Sequence, residues 1–271
     1  MTTIANHADG VIANSQATAD AMRGYLPEGT PVAPLLLGVE PRPPATDAAS
    51  PFPCGRPYFV MLGTIEPRKN HLTLLHAWRA MAARLGRERC PGLLIVGARG
   101  WDNEQVVDIL DRCVALRGIV VEAGRLPDGE VTAALEGARA LVMPSFIEGF
   151  GLPVAEALAS GCPVICSDIP AHREVGAQAP EYIDPVDAPA WVSMIERFAE
   201  PRSAARASAL LRTRAWRPVQ WADHVTSAVA FADEIAVRSE AEAYRPQGIR
   251  RGHRPMLGGL SVAGPRLALA R

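Results

Sequence analysis

Two carboxylates, Glu148 and Glu156, are separated by seven residues that contain a Gly-Phe-Gly turn. The apolar runs at 140–143, before this stretch, and at 163–167, after it, have the length of buried strands. Pro153 lies where a helix would begin, and its missing N–H costs no hydrogen bond in a first turn. The pattern predicts a strand, a glycine turn, a helix and a strand. A helix N-terminus placed in this way favours an anion such as a phosphate.

Each carboxylate also has a plainer interpretation. Glu156 is the only polar residue between Val154 and Leu158, which predicts a buried helix whose carboxylate needs partners. A first-turn glutamate that complements the helix dipole would give the same pattern. Glu148, between an isoleucine and a glycine, would alternatively be a solvated loop acid. The pair at this spacing is more specific than either residue alone.

A second segment, Gly63–Asn70, follows an earlier predicted strand and contains Arg68 and Lys69. In a sheet of order 3-2-1-4-5-6 this loop lies beside the fourth strand at the switch point, so the two cations should face the turn at 149–152. A diphosphate between them would meet a forked guanidinium, an ammonium and helix-terminal amides. The alternative is a pair of solvated cations. Lys69 is the one lysine among 28 Lys and Arg residues, which favours a specific role.

Three further positions carry weaker signals. Gly97 ends the next predicted strand and allows close backbone approach, and Trp101 would either flank a base or serve as plain packing. Ser145 lies at a strand end where its hydroxyl can donate to a phosphate, but the Gly-x-Ser-x-Gly elbow of a nucleophilic serine is absent. The histidines, including His71 and His172, lack metal-ligand spacing and are interpreted as helix or loop residues.

Both segments resemble the signatures of retaining, nucleotide-sugar-dependent glycosyltransferases of the two-domain GT-B type, particularly family 4. The resemblance covers residues 5–235 and rests on Glu-x7-Glu and on Gly-Thr-Ile-Glu-Pro-Arg-Lys-Asn. It implies that Glu148 contacts the donor sugar and that Glu156 accepts hydrogen bonds from the ribose hydroxyls. Backbone amides of the turn would approach the sugar and the diphosphate; they belong to Gly149, Phe150, Gly151 and Leu152.

The resemblance also assigns roles to the other loops. Arg68 and Lys69 would bind the donor diphosphate and stabilise the leaving nucleoside diphosphate, next to Gly63. Some family members carry an arginine directly after this glycine, where this chain has Thr64, so one diphosphate contact is absent or supplied otherwise. Main-chain groups at Arg125 and Leu126 would read the nucleobase, which therefore cannot be named from side chains.

The expected function is transfer of a sugar, with retention, from a GDP- or UDP-linked donor to a hydroxyl of a glycan or lipid-linked acceptor. The motif form is most similar to bacterial mannosyltransferases of polysaccharide assembly, which suggests mannose. No cofactor and no metal are expected, because the cations at 68 and 69 would neutralise the diphosphate. The alternative is a truncated, non-catalytic module that binds the nucleotide sugar and needs a partner chain. A nicotinamide-binding fold is excluded because Gly63 is not followed by the Gly-x-x-Gly of that fingerprint.

The predicted fold class is α/β, with a doubly wound six-stranded parallel sheet of Rossmann-like type followed by C-terminal helices, as in a GT-B C-terminal domain. Residues 1–39 are interpreted as the end of an N-terminal acceptor domain, which implies a separate domain or chain upstream. Residues 40–57 contain six prolines and are predicted to be a linker. The donor domain would span 58–240, and a basic tail at 241–271 would be disordered.

The composition of the chain limits which binding partners and which cellular compartment are expected. The chain has 271 residues, a net charge of −1 and 48% hydrophobic residues, which argues against a nucleic-acid partner and allows a large core. Five cysteines without a Cys-x-x-Cys pair indicate reduced thiols. No signal peptide and no run of about 20 apolar residues is visible, so we expect a cytoplasmic protein, or one peripheral at the inner face of the membrane.

Overall fold

The computed structural model describes residues 2–40, 43, 45, 50–243 and 267–270. The strands are β1 (Gly10–Ala13), β2 (Val32–Pro34), β3 (Tyr58–Leu62), β4 (Gly92–Val96), β5 (Val120–Gly124), β6 (Leu141–Met143), β7 (Val164–Ser167), β8 (Glu181–Ile183) and β9 (Leu267–Ala270). The helices are α1 (Thr2–His7), α2 (Gln16–Arg23), α3 (His71–Leu85), α4 (Glu104–Arg112), α5 (Asp128–Gly137), α6 (Leu152–Ala159), α7 (Pro170–Gly176), α8 (Ala188–Ala199), α9 (Ala204–Ala215) and α10 (Trp221–Ala243). They form two compact units: Val39–Pro218, and Met1–Gly38 with Val219–Arg271.

The larger unit contains a six-stranded parallel sheet in the order β5-β4-β3-β6-β7-β8. Counted within this sheet the order is 3-2-1-4-5-6, which confirms the predicted doubly wound fold. Every residue of β3, β4, β6 and β7 is buried, as expected for parallel strands covered on both faces. The switch point lies between β3 and β6, which pair at Val60 and Leu141.

Tryptophans anchor two helices to the core of this unit. Trp78 of α3 is fully buried, meets Phe59 edge-on at 5.9 Å between ring centroids, and donates its indole N–H to the carbonyl of Pro91 at 2.8 Å. Trp191 of α8 is also fully buried, and its indole N–H donates to the carbonyl of Asp184 at 3.0 Å. Each ring combines a large apolar area with a satisfied polar group: Trp78 ties α3 to the start of β4, and Trp191 ties α8 to the loop after β8.

The structure corrects the predicted linker at 40–57. Residues 41, 42, 44 and 46–49 lie outside the described residues, but the C-terminal end of the segment belongs to the folded unit. Phe52 is 2% exposed and lies 5.6 Å from the ring of Tyr58, and a Cβ at Gly92 would come within 2.6 Å of it. The proline-rich pattern hid a buried aromatic residue that anchors the entry to β3.

The smaller unit combines the two ends of the chain. In its parallel sheet β1 pairs with β2 on one side and with β9 on the other. The Ser15 hydroxyl caps α2 by accepting a hydrogen bond from the Thr18 amide at 3.0 Å. The strand β9 corrects the predicted disorder of the tail for residues 267–270, whereas 244–266 and 271 lie outside the described residues.

Helix α10 belongs to the smaller unit, which corrects the predicted donor domain 58–240 at its C-terminal end. A Cβ at Gly10 of β1 would lie 3.0 Å from Ile235 and 3.3 Å from Phe231, so the helix packs directly on this strand. The His224 ring donates through Nδ1 to the carbonyl of Leu36 at 2.9 Å. The apolar face of α10 finds its partner in the N-terminal segment. None of the helices within the described ranges is long and apolar enough to cross a membrane.

Candidate functional site

The two predicted cations lie in a tight turn at the carboxyl end of β3. The chain leaves the strand through Gly63, whose φ of +131° suits glycine, and Pro67–Lys69 then form one turn of 3-10 helix. Asn70 follows in the left-handed region with a φ of 58°, a conformation that asparagine tolerates better than most residues. Its side-chain amide donates to the carbonyls of Pro144 and Pro185 at 3.0 Å each, which ties the turn to the loops after β6 and β8.

The loop after β6 meets this turn, as the strand order predicts. The Phe146 amide donates to the Arg68 carbonyl at 2.9 Å, and Asn70 binds the carbonyl of Pro144. The loop ends at Gly151, whose φ of +92° starts α6. The N-terminus of α6 therefore lies at the switch point, where its free amides favour an anion.

Glu148 lies between the two cations. Lys69 Nζ donates to Glu148 Oε1 at 2.6 Å, Arg68 Nη1 to Glu148 Oε2 at 2.7 Å, and the hydroxyl of the buried Ser145 to Oε1 at 2.7 Å. The side chains of Lys69 and Glu148 are only 7% and 5% exposed, whereas that of Arg68 is 40% exposed. We refer to Arg68, Lys69, Ser145 and Glu148 as the ion cluster. It is enclosed on the side of Lys69 and open to solvent at Arg68.

The ion cluster keeps Glu148 ionised in a buried place. Burial by itself raises the pKa of this carboxyl, but the charge and hydrogen bond of Lys69, the hydroxyl of Ser145 and the charge of Arg68 outweigh it, so that the pKa lies below its ordinary value. A buried carboxylate that accepts hydrogen bonds from three donors is stable in its ionised form. While Glu148 holds these donors, they cannot bind another anion. The solvated-loop interpretation of Glu148 is therefore wrong.

Glu66 is a further charged group of the site that the sequence analysis did not single out. Its side chain is 9% exposed, and its Oε1 lies 2.6 Å from Arg68 Nε. Its Oε2 accepts a hydrogen bond from the Trp101 indole at 3.1 Å. Glu66 thus links the ion cluster to the loop after β4. The signal available in the sequence was its place in the same motif as Arg68 and Lys69.

The loops after β4 and β5 lie at the same carboxyl edge of the sheet, on the side of β3 opposite to Glu148. A Cβ on Gly97 would lie 2.0 Å from the Gly63 carbonyl, so the close approach predicted for this glycine is made to the chain's own backbone. The Gly97 amide donates to the Gly124 carbonyl at 2.8 Å, which joins the ends of β4 and β5. Arg125, exposed, and Leu126, half-buried, follow directly.

The remaining predicted positions surround the start of α6. Phe150 is buried at 6% exposure, while Leu152 is 43% exposed at the first position of the helix. Gly149 and Glu156 are half-buried, with Glu156 in the second turn of α6. Glu156 is thus less buried than its helix pattern predicts, and the alternative interpretation as a first-turn glutamate is wrong. Thr64 is exposed at the end of β3, beside Gly63.

Two histidines that the sequence analysis read as ordinary helix or loop residues are buried next to the site. His172 is fully buried, donates through Nδ1 to the Ser167 carbonyl at 3.0 Å, and would lie 3.0 Å from a Cβ on Gly151. His71 is 1% exposed, and neither of its ring nitrogens has a hydrogen-bond partner within the part of the chain that the structure describes.

Burial lowers the pKa of both rings. For His71 it acts together with the charge of Lys69 and brings the pKa to about 4. For His172, burial is again the largest effect and lowers the pKa, and the Lys69 charge lowers it further. The hydrogen bond to the Ser167 carbonyl and the charge of Glu148 raise the pKa, but not enough to compensate, so it lies below its ordinary value. Both rings are therefore neutral near pH 7.

The arrangement suits a doubly charged anion held by side chains and helix amides. It offers a guanidinium, an ammonium, a hydroxyl and the N-terminus of α6 within one edge of the sheet. Over the described ranges, no group of three His, Cys, Asp or Glu residues could hold a metal ion, and Cys90, Cys113, Cys162 and Cys166 are free thiols.

A doubly wound parallel sheet with two cations and a helix N-terminus at its switch point is an arrangement typical of nucleotide-binding α/β domains. Solved structures share this fold with the chain: a sucrose-phosphate synthase from Thermosynechococcus elongatus (TM-score 0.67, 24% identity, 87% of this chain and 60% of that one) and an α,α-trehalose-phosphate synthase from Burkholderia vietnamiensis (TM-score 0.68, 13% identity, 87% and 61%). These neighbours are GT-B glycosyltransferases.

The sequence model of the glycosyl transferases group 1 matches residues 44–208, more than half of the chain. The chain therefore belongs to the group 1 glycosyltransferase family. Among curated relatives, O-antigen chain mannosyltransferase B from Escherichia coli is 32% identical over 188 residues, which are 69% of this chain and 45% of that protein. O-antigen chain mannosyltransferase RfbU from Salmonella typhimurium is 48% identical over 144 residues, 52% of this chain and 38% of that protein. The chain thus spans less than half the length of these relatives.

Proposed function

We propose that this chain provides the donor-binding part of a retaining mannosyltransferase that assembles a polysaccharide. The observation that carries the proposal is the ion cluster at the switch point, where both cations of the Glu-Pro-Arg-Lys-Asn motif meet the first carboxylate of Glu-x7-Glu. Membership of the group 1 family supports the reaction class. Mannose, and with it a GDP-linked donor, is supported by relatives that are named as O-antigen mannosyltransferases.

In this proposal the donor diphosphate takes over the donors that Glu148 now holds. Arg68 and Lys69 stabilise the charge that grows on the diphosphate as its bond to the anomeric carbon breaks, and the amides at Gly151 and Leu152 add to that field. Lys69 acts in a nearly water-free place, where a fixed charge is worth more than in solvent. The diphosphate leaves with the electron pair, an acceptor hydroxyl oxygen bonds to the anomeric carbon, and the hydroxyl proton passes to an oxygen of the departing diphosphate.

The carboxylates orient the rest of the donor. Glu148, released from the cations, accepts hydrogen bonds from the sugar hydroxyls, and Glu156 accepts them from the ribose. Main-chain groups at Arg125 and Leu126 read the nucleobase. Retention follows from the family resemblance and is part of the proposal. The acceptor is a hydroxyl of a glycan or lipid-linked glycan, met at the inner face of the membrane and held by an N-terminal acceptor domain.

The test is release of nucleoside diphosphate from GDP-mannose and from UDP-glucose, with and without a lipid-linked oligosaccharide acceptor. The proposal predicts release from GDP-mannose that rises with acceptor and falls at least a hundredfold in Lys69→Met. Arg112→Ala is a matched control, because the Arg112 side chain is 81% exposed on α4 and pairs with Asp108 four residues away, outside the ion cluster.

Donor binding without any transfer would favour the alternative, a non-catalytic nucleotide-sugar-binding module that needs a partner chain. Release from UDP-glucose alone would leave the reaction class intact and exclude mannose. A folded protein that neither binds nor cleaves either donor would contradict the proposal as a whole.

A further inference from the structure

Trp101 is a large aromatic side chain that the larger unit leaves on its surface. It is 59% exposed, whereas Trp78 and Trp191 are fully buried in the core of the same unit. All five tryptophans of the chain lie within the described residues, and Trp101 is more exposed than Trp221, the other exposed one, at 41%. A single exposed apolar side chain is common on a protein surface, so Trp101 is distinguished by how its ring is held and by where it lies.

The ring is held in a fixed orientation. Its indole N–H donates to Glu66 Oε2 at 3.1 Å, and the Glu66 carboxylate is itself buried next to Arg68. The N–H end of the indole is therefore anchored to the turn that carries the cations, while much of its surface faces solvent. A solvent-facing indole whose polar end is already satisfied offers a flat apolar surface.

The loop that carries Trp101 is also clamped to the loop after β3. The amide of Gly100 donates to the Ile65 carbonyl at 3.0 Å, and the Asn103 side chain donates to the same carbonyl at 3.0 Å. A Cβ on Gly100 would lie 2.6 Å from the Thr64 methyl group, which shows how closely the two loops approach. The indole is thus a preorganised surface, and binding on it would not cost loop ordering.

The strand order shows which part of a donor would reach this surface. Glu148 follows β6, on one side of β3, and Trp101 follows β4, on the other side. The sugar and the nucleoside are attached to opposite ends of the donor diphosphate. If the diphosphate lies at Arg68 and Lys69 and the sugar lies near Glu148, the nucleoside extends in the other direction, towards β4 and β5. Neighbouring strands are about 4.8 Å apart, so the end of β5 lies about 10 Å from that of β3.

We propose that Trp101 is the stacking platform for the nucleobase of the donor and that Glu66 is the residue that positions it. This inference rests on the proposed function, because it requires a nucleoside diphosphate at the ion cluster. Aromatic stacking tolerates any base, so Trp101 sets the affinity for nucleotides over plain diphosphates, while the choice of base is left to the turn at Arg125 and Leu126.

The experiment compares GDP, UDP and inorganic pyrophosphate by calorimetry on the parent and on Trp101→Ala, and follows tryptophan emission in Trp101→Phe and Trp221→Phe. We expect Trp101→Ala to weaken the nucleotide that the parent binds about 5- to 100-fold and to leave pyrophosphate unchanged. We expect that nucleotide to quench emission in the parent and in Trp221→Phe, and this quenching to be lost in Trp101→Phe. Trp221 is a matched control because it is exposed in the smaller unit.

Each other outcome overturns the inference in a distinct way. Unchanged nucleotide affinity in Trp101→Ala would show that the ring contacts something other than the base. Equal weakening of pyrophosphate would show that Trp101 acts through Glu66 and Arg68 and not by stacking. If the parent binds pyrophosphate but no nucleotide, the inference fails while the anion site stands. If the parent binds neither, the proposed function itself fails and the inference falls with it.

Discussion

Lys69 Nζ lies 2.6 Å from Glu148 Oε1, so a cation expected to hold the donor diphosphate is already paired with the carboxylate expected to hold the donor sugar. Both side chains are more than nine-tenths buried. Neither charge can be left alone in such a place at low cost. Under the proposed function, donor binding would exchange one anion for another at Lys69, and Glu148 would be both a ligand for the sugar and a competitor of the diphosphate.

Replacing Glu148 by glutamine should tighten the binding of free nucleoside diphosphate. The change removes the competing charge, and a nucleotide without a sugar loses no contact to Glu148. We expect about a tenfold lower dissociation constant, measured by calorimetry, together with loss of sugar transfer. Asp168→Asn is the control, since Asp168 pairs with Arg173 outside the ion cluster. Weaker nucleotide binding in Glu148→Gln would show that the carboxylate assists the diphosphate site.

Removing only the cation should be worse for stability than removing both partners. Lys69→Met leaves the Glu148 carboxylate buried with Arg68 and Ser145 as remaining donors, and we expect a loss of about 3 kcal/mol in the free energy of unfolding. The double variant Lys69→Met, Glu148→Gln should regain most of that loss. Urea unfolding of the parent, both single variants and the double variant measures the coupling. Strictly additive losses would mean that the pair contributes no coupling energy.

The buried ring of His71 should make the stability of the fold depend on pH. Its pKa is lowered from 6.5 to about 4, so between these values the unfolded chain binds a proton that the folded chain does not. Stability is then full above about pH 6.5 and falls by about 3 kcal/mol as the pH drops to about 4. His71→Leu should reduce the dependence of the free energy of unfolding on pH, measured by urea unfolding. Some dependence should remain, because the pKa of His172 is also lowered in the folded protein.

His76→Leu is the control for this pH dependence, because His76 is exposed on the same helix α3. It should keep the slope of the parent between pH 6.5 and pH 4. A slope that is equally steep in His71→Leu would show that other groups cause the acid sensitivity.

The glycine at the end of β4 should tolerate no side chain. Gly97 has a φ of +155°, and a Cβ there would lie 2.0 Å from the Gly63 carbonyl, which is backbone and cannot rotate away. We expect Gly97→Ala to lower the melting temperature by several degrees, corresponding to about 2 kcal/mol or more, and to abolish nucleotide binding. Gly24→Ala should change neither, since Gly24 has a φ of −68° and nothing within 4 Å of its added Cβ. Normal stability of Gly97→Ala would show that the loop can move apart.

The sheet could be predicted from the sequence because a parallel α/β fold repeats one local unit, a strand followed by a helix. Its buried strands are visible in the sequence as short apolar runs. The meeting of Lys69 and Glu148 followed from that order, since the loops after the first and fourth strands share the switch point. What the sequence did not reveal depends on partners far along the chain. The docking of α10 on β1, the burial of Phe52 and the burial of His172 under Gly151 leave no local pattern.

Glu66 shows the same limit within the site. A glutamate before Pro67 reads as an ordinary loop acid, and only the fold brings Trp101 and Arg68 to its two oxygens. The α7 helix was also missed, since its seven residues start at Pro170 and give too short a pattern to identify. Short elements and tertiary contacts are decided by packing, which overrides local propensity.

The most direct test of the account is the binding of GDP, UDP and ADP to the parent protein and to Lys69→Met, measured by calorimetry at one salt concentration. The account predicts that one of the nucleotides binds at a single site and that Lys69→Met weakens it at least a hundredfold, while Arg112→Ala binds as the parent does. If none of the three binds to the folded parent, or if Lys69→Met binds as tightly as the parent, the ion cluster is not a nucleotide site and the central claim is wrong.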